Sequence, residues 1–172
     1  MSSVSRGRWG YSRTEGLRSE DKFVSACIAK GYETKKSTRD EDIHLHIDYY
    51  VTRKGRKTVS VDVKGGNHPN VIWVEFKNVR GNDGWMYGKA DWIAFELPEV
   101  GGFVMVLRKE LVELAEEIVE PVFVDKKNAD HKYYQRKDRL DVISRLWLSD
   151  IQRCKSYNVL NYANPNSQKN ST

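Results

Sequence analysis

The chain has 172 residues, enough for one domain with its own core and too few for two of ordinary size. Hydrophobic residues make up 39% and charged residues 31%, the balance of a soluble globular protein rather than a fibrous or membrane-embedded one. A formal charge of +5 favours an anionic partner, and no apolar run approaches the roughly 20 residues that span a bilayer, so no membrane association is expected.

Residues 1–14 are polar and arginine-rich, lack the apolar stretch of a secretory leader, and read as a flexible basic arm. Over 15–30, Leu17, Phe23, Val24, Cys27 and Ile28 recur at helical spacing, and Gly31 stands where a helix-ending glycine belongs. Glu20, three residues before Phe23, falls on the inward face of that helix. Residues 32–37 suit a short strand. After the acidic turn Arg39-Asp40-Glu41-Asp42, the stretch 43–51 alternates, with Ile43, Leu45, Ile47 and Tyr49 on one face and His44, His46, Asp48 and Tyr50 on the other.

Arg53-Lys54-Gly55-Arg56 reverses the chain into a valine-rich strand, 57–64, that sets Val59, Val61 and Val63 against Thr58, Ser60, Asp62 and Lys64. A third run, 71–79, puts Ile72, Val74 and Phe76 on one face and Trp73, Glu75 and Lys77 on the other. Further apolar strands are expected at 91–97 and 103–107, and a helix at 109–119 with Leu111, Leu114, Ala115 and Ile118 on one side. The order of elements in 122–155 is not legible, and the polar end reads as a disordered tail over 159–172. The domain itself is then 15–158, of α+β class: an α/β sandwich in which a mixed sheet with an antiparallel meander is flanked by helices. Two distant cysteines, Cys27 and Cys154, favour reduced thiols and a cytoplasmic setting.

The chemistry concentrates on the hairpin. Antiparallel pairing across the Arg53–Arg56 turn can bring Asp48 and Asp62 to neighbouring cross-strand positions, and the two-residue step from Asp62 to Lys64 keeps both on one face. Two carboxylates and an amine in one cleft suit metal-assisted phosphodiester hydrolysis. The carboxylates ligate a hard cation, and the lysine orients or deprotonates water or steadies charge on the phosphate. Glu75-Phe76-Lys77 repeats the acid-x-lysine pattern, so a second register with Asp62, Glu75 and Lys77 stays open.

Gly31-Tyr32-Glu33 after a helix, then His46-Ile47-Asp48-Tyr49-Tyr50, then Val61-Asp62-Val63-Lys64, resembles the PD-(D/E)XK nuclease superfamily over about residues 15–96. Ile47 stands where that family often has proline. The resemblance implies a restriction-endonuclease-like αβββαβ core and a Mg²⁺-dependent endonuclease acting on DNA, with Mn²⁺ as a substitute. Asp48, Asp62 and Glu75 would be metal ligands, Lys64 the catalytic lysine, and Glu20 an acid from the first helix. A homodimer on duplex DNA and a phage or mobile-element origin fit such a compact nuclease. The alternative is a non-catalytic nucleic-acid-binding protein on the same fold.

Candidate DNA contacts are His46, Lys77, Arg53, Arg56, Lys89, Arg136 and Arg139. The last two belong to a basic run interleaved with aromatics, which suits phosphates and exposed bases. His44-Leu45-His46 has the spacing of a β-strand transition-metal site but lacks the glutamate such a site needs after its second histidine. Gly84-Trp85-Met86-Tyr87-Gly88 reads equally as a DNA-facing loop or a packed corner.

Overall fold

The computed structural model of the chain describes residues 8–66 and 69–164. Residues 1–7 of the expected arm and 165–172 of the expected tail lie outside that range. Helix α1 (Arg8–Ala29) takes in the second half of the stretch read as an arm, so the helix starts earlier than the apolar periodicity alone implied. Its inward stripe, Phe23, Ala26 and Cys27, is at most 1% exposed. Gly31 follows at φ 75°, and strand β1 (Tyr32–Lys36) begins at once.

The expected strand over 43–51 is not formed as one piece. Thr38 caps a short helix, α2 (Arg39–Leu45), in a reciprocal box: its side chain accepts from the Glu41 N–H, and Glu41 Oε2 accepts from the Thr38 N–H at 2.8 Å. Asp40, Glu41 and Asp42 crowd the first turn, where the helix dipole favours negative charge. What reads as an acidic turn is therefore a helix start, and the local cap outweighs the period-2 pattern beyond it. His46 leaves the helix in the left-handed region, φ 53°, and only Tyr49–Arg53 is strand (β2).

The main sheet has six strands in the order β1-β2-β3-β5-β6-β10, with β3 (Val59–Lys64), β5 (Trp92–Leu97), β6 (Gly102–Leu107) and β10 (Asn158–Asn161). All pairings are antiparallel except β3 with β5. Strand β4 (Val71–Lys77) does not extend the meander. It leaves the sheet and pairs with β9 (Val142–Trp147), because Ile72, Val74 and Phe76, 0–7% exposed, bury themselves over the sheet rather than at its edge. Between β3 and β5 the described chain carries β4 and a short 3-10 turn instead of the helix of an αβββαβ order. Strand β10 forms where the tail was expected to begin at 159, held by antiparallel pairing to β6.

The remaining elements are α3 (Arg108–Ile118), β7 (Glu120–Phe123), β8 (Lys132–Tyr133) and α4 (Leu148–Ile151). Strand alternation divides the core in two. Val61, Val63, Ala94 and Phe103 face α1, together with Tyr49, Val51 and Leu160. Ile93, Phe95, Val104 and Val106 face the β4–β9 ribbon and α3, which contributes Leu111, Leu114 and Ala115. The result is a mixed α+β fold with a central mixed sheet covered on both faces. Cys27 and Cys154 are buried and unpaired, and no helix among the described residues is long and apolar enough to cross a membrane.

Candidate functional site

Strands β2 and β3 pair with Tyr49 opposite Val61, so one step further the register sets Asp48 opposite Asp62. Tyr49 and Val61 turn to α1; the alternation sends Asp48, Asp62 and Lys64 to the other face. Asp48 is fixed three ways. Its N–H donates to Val61 O at 2.9 Å, its carbonyl accepts from Ser37 N, and its Oδ2 accepts from Val63 N–H at 2.7 Å. The carboxylate thus takes the place of a ladder bond at the end of the hairpin.

Asp62 is 2% exposed and Asp48 7%. Lys64 Nζ donates to Asp62 Oδ1 at 2.9 Å, while the other oxygen, Oδ2, is buried with no hydrogen-bond partner. Burial, then repulsion from Asp62, pushes the Asp48 carboxyl up to about 6. Burial also raises Asp62, although Lys64 pulls against it. A hydrogen bond between the two carboxyls exists only when one of them carries a proton; with both ionised they repel each other. Burial works against the charge on Lys64, but Asp62, Asp48 and Glu75 together outweigh it and keep the ammonium protonated.

Trp85 joins this pair to Glu75. Its ring lies under Lys64 Nζ, 4.8 Å from the centroid, and packs edge-on against Phe95. The Trp85 backbone N–H donates to Glu75 Oε1 at 3.3 Å. Gly84 and Gly88 make this possible: a Cβ on Gly84 would stand 2.1 Å from Glu75 O, and one on Gly88 2.8 Å from His46 Cβ. The Gly84–Gly88 segment is a packed corner, with Met86 0% exposed, rather than a projecting loop. Of the expected residues, the structure brings Asp48, Asp62 and Lys64 together, with Glu75 and His46 near enough to act on their charges. Burial and Lys64 hold His46 toward its neutral form.

The remaining expected residues take other positions. Glu20 sits on the α1 face, opposite the aspartates, where Lys36 and Tyr49 bind it. Lys77 is exposed beyond a bulge in β4 and bridges to Asp83, so the Asp62/Glu75/Lys77 register is not assembled as neighbouring strands. Arg53 and Arg56 lie at the far tip of the hairpin, about 17 Å of strand from Asp48. His44 is exposed on α2 and pairs with Asp40 at 3.5 Å, which removes the strand geometry of the H-x-H site. Lys89 is exposed beside Gly88, its N–H tied to Leu45 O.

Among the described residues no group of three or more His, Cys, Asp or Glu side chains converges as a ready metal cage, so Glu75 does not complete a trio with the aspartates. The aspartate pair still suits one hard divalent ion, since Mg²⁺ commonly takes one or two carboxylates and keeps its waters. The unpartnered Asp62 oxygen is the atom such an ion would satisfy.

Beside Glu75 and Trp85 opens a groove of about 540 Å³, lined also by Trp73, Tyr134, Lys126, Arg136, Lys137 and Arg139. Arg136 and Arg139, expected as DNA contacts, thus line this groove, with Arg136 ion-paired to the fully buried Asp141. Trp73 and Lys126 were not singled out as site residues. A large aromatic on the polar face of β4 was the available signal for Trp73; for Lys126 there was none. Searches of family models, of curated proteins and of solved structures find no match to this chain.

Proposed function

We propose that the chain is a divalent-metal-dependent endonuclease of the PD-(D/E)XK kind, cutting phosphodiester bonds of DNA. One observation carries the reading: two buried carboxyls face each other across the β2–β3 register, one bonded to a lysine and one of its oxygens left without a partner. A hairpin built for structure alone gains nothing from the second acid and its unpartnered oxygen. The run α1-β1-α2-β2-β3, followed by a strand parallel to β3, supports a restriction-endonuclease-like core, and the α2 and β4 insertions are departures from it.

Asp48 and Asp62 would hold Mg²⁺, or Mn²⁺ in its place, and the ion would polarise the phosphoryl oxygen and lower the pKa of a bound water. Lys64 is held charged by its carboxylate neighbours, so its part is to orient the nucleophile and steady the developing phosphate charge rather than to take a proton. Glu75 sets the position of Trp85 and adds negative charge beside Lys64.

The test is plasmid and branched DNA incubated with Mg²⁺ or Mn²⁺ and wild type, Asp62→Asn or Lys64→Ala. Wild type should nick or linearise the DNA, and each variant should lose about 100-fold or more in rate, the scale on which an electrostatic group at a reaction centre acts. A second reading, a binding module without catalysis, draws on the basic, aromatic groove, which needs neither aspartate. It takes over if wild type and variants bind DNA alike and none cuts.

A further inference from the structure

We propose that the groove beside Glu75 is a stacking site for unpaired nucleobases, so that the preferred substrate carries a single-stranded or splayed segment next to the bond to be cut. The choice of bond rests on the nuclease reading of the Asp48–Asp62 pair; the stacking does not.

Three half-buried rings, Trp73, Trp85 and Tyr134, line the groove together with the cations Lys126, Arg136 and Lys137. Adjacent tyrosines, both half-buried, turn to different partners. Tyr133 packs onto Phe76, with centroids 5.1 Å apart, against the core, whereas Tyr134 turns to Trp73 at 6.2 Å, tilted by 54°. Cross-strand Arg145 lies 5.7 Å from the Trp73 ring and steadies it from its own side. The groove is open, and at about 540 Å³ it lies within the range of sites that enclose small organic ligands.

A base inside a duplex has both faces covered by its neighbours, so ring platforms gain only from bases that are unpaired. Cations alone would suit any phosphate backbone; rings and cations together suit a single strand. The position adds direction. Trp85 is shared between the groove and Lys64, so a strand whose base stacks in the groove runs its backbone toward the Asp62–Lys64 pair. Glu75, the acid in the lining, lies at that junction, where it accepts from the Trp85 backbone N–H.

The measurement is fluorescence anisotropy with labelled oligo-dT, oligo-U and a blunt duplex of equal length, in EDTA so that nothing is cut. Wild type should prefer the single strands and show quenched tryptophan emission on binding them. Trp73→Ala should weaken single-strand binding by about 5- to 150-fold, the effect of losing one stacked base, and leave duplex binding within about two-fold. Trp73→Phe should recover most of it, and Tyr134→Leu should repeat the loss should Trp73→Ala fold poorly. The salt dependence should stay unchanged in the ring variants and flatten in Lys126→Gln/Lys137→Gln. Equal losses with oligo-dT and oligo-U make the platform indifferent to the sugar; a loss with oligo-dT alone confines it to DNA. If the ring variants keep single-strand affinity, or lose single strand and duplex alike, the stacking site is refuted while cleavage by Asp62 stands. A chain that stacks but does not cut reverses that outcome.

Discussion

Glu96 on β5 and Asp62 on β3 are both nearly closed to solvent, at 5% and 2% exposure, but they lie on opposite faces of the sheet. On the α1 face, Glu96 accepts from the Ser19 hydroxyl, from Lys22 Nζ at 2.7 Å and from the Tyr162 hydroxyl at 2.7 Å. Burial works to raise its carboxyl, and these donors overcome that and hold it low. It ties the first helix and the segment after β10 to the sheet. On the other face, Asp62 receives one ammonium and confronts a second carboxyl. The burial is similar, but only one of the two acids is fully provided with donors. A buried acid with enough donors is a fastening; one facing another acid stores repulsion that a cation or a proton must relieve.

The sharpest way to break this contrast is to neutralise each acid in turn. Asp62→Asn should abolish metal-dependent cleavage by about 100-fold or more and leave the metal-free protein as stable as wild type or more so. Glu96→Gln should cost about 1–3 kcal/mol of stability, through weakened bonds from Ser19, Lys22 and Tyr162 to a buried acceptor, and keep the rate per folded molecule. Urea unfolding beside initial rates decides it. Equal destabilisation by both variants would make Asp62 a second fastening.

A pH series sharpens the same point. Asp48 is raised from 3.8 to about 6, so the folded state holds a proton that the unfolded chain releases first. Stability on its account is therefore greatest below about pH 4 and is lost as pH rises to about 6, a change of about 3 kcal/mol at 1.36 kcal/mol per unit. Measured as the difference between wild type and Asp48→Asn, which cancels groups of opposite sign, the wild type should fall behind across that window. A flat difference would mean that Asp48 is not buried beside a second carboxyl as described.

A smaller effect is expected from the cation itself. At ten times its dissociation constant Mg²⁺ should stabilise wild type by about 1.4 kcal/mol and Asp62→Asn by little, seen as a shift in thermal midpoint. Smallest of all is Glu20→Gln. Its carboxylate serves Lys36 and Tyr49 behind the sheet, so cleavage should hold at the wild-type rate and stability within about 0.5 kcal/mol. A large loss of cleavage would return Glu20 to the site.

The aspartate pair was legible because it depends on short-range rules. A turn at 53–56 and strict alternation suffice to set Asp48 against Asp62 and to put Lys64 beside Asp62. Helix α2 was legible in principle, since Thr38-Arg39-Asp40-Glu41 spells a capping box, but the alternation of Ile43, Leu45 and Ile47 masked it. The groove was not legible as a place. Trp73 and Tyr134 are far apart in the chain, and only the β4–β9 pairing and the bridge from Tyr134 to Ile143 bring them side by side.

By itself, then, the sequence determined which residues share a face, where the hairpin turns and which acids oppose each other, because backbone periodicity and turn chemistry act over a few residues. The tertiary structure alone decided that β5 rather than β4 lies beside β3, that Glu20 falls behind the sheet, and that 126–139 folds over against Glu75. Those choices turn on which apolar faces can be buried together across the whole chain. Ile72, Val74 and Phe76 are buried more fully as a lid over the sheet than they would be at its edge, and no local pattern records that preference.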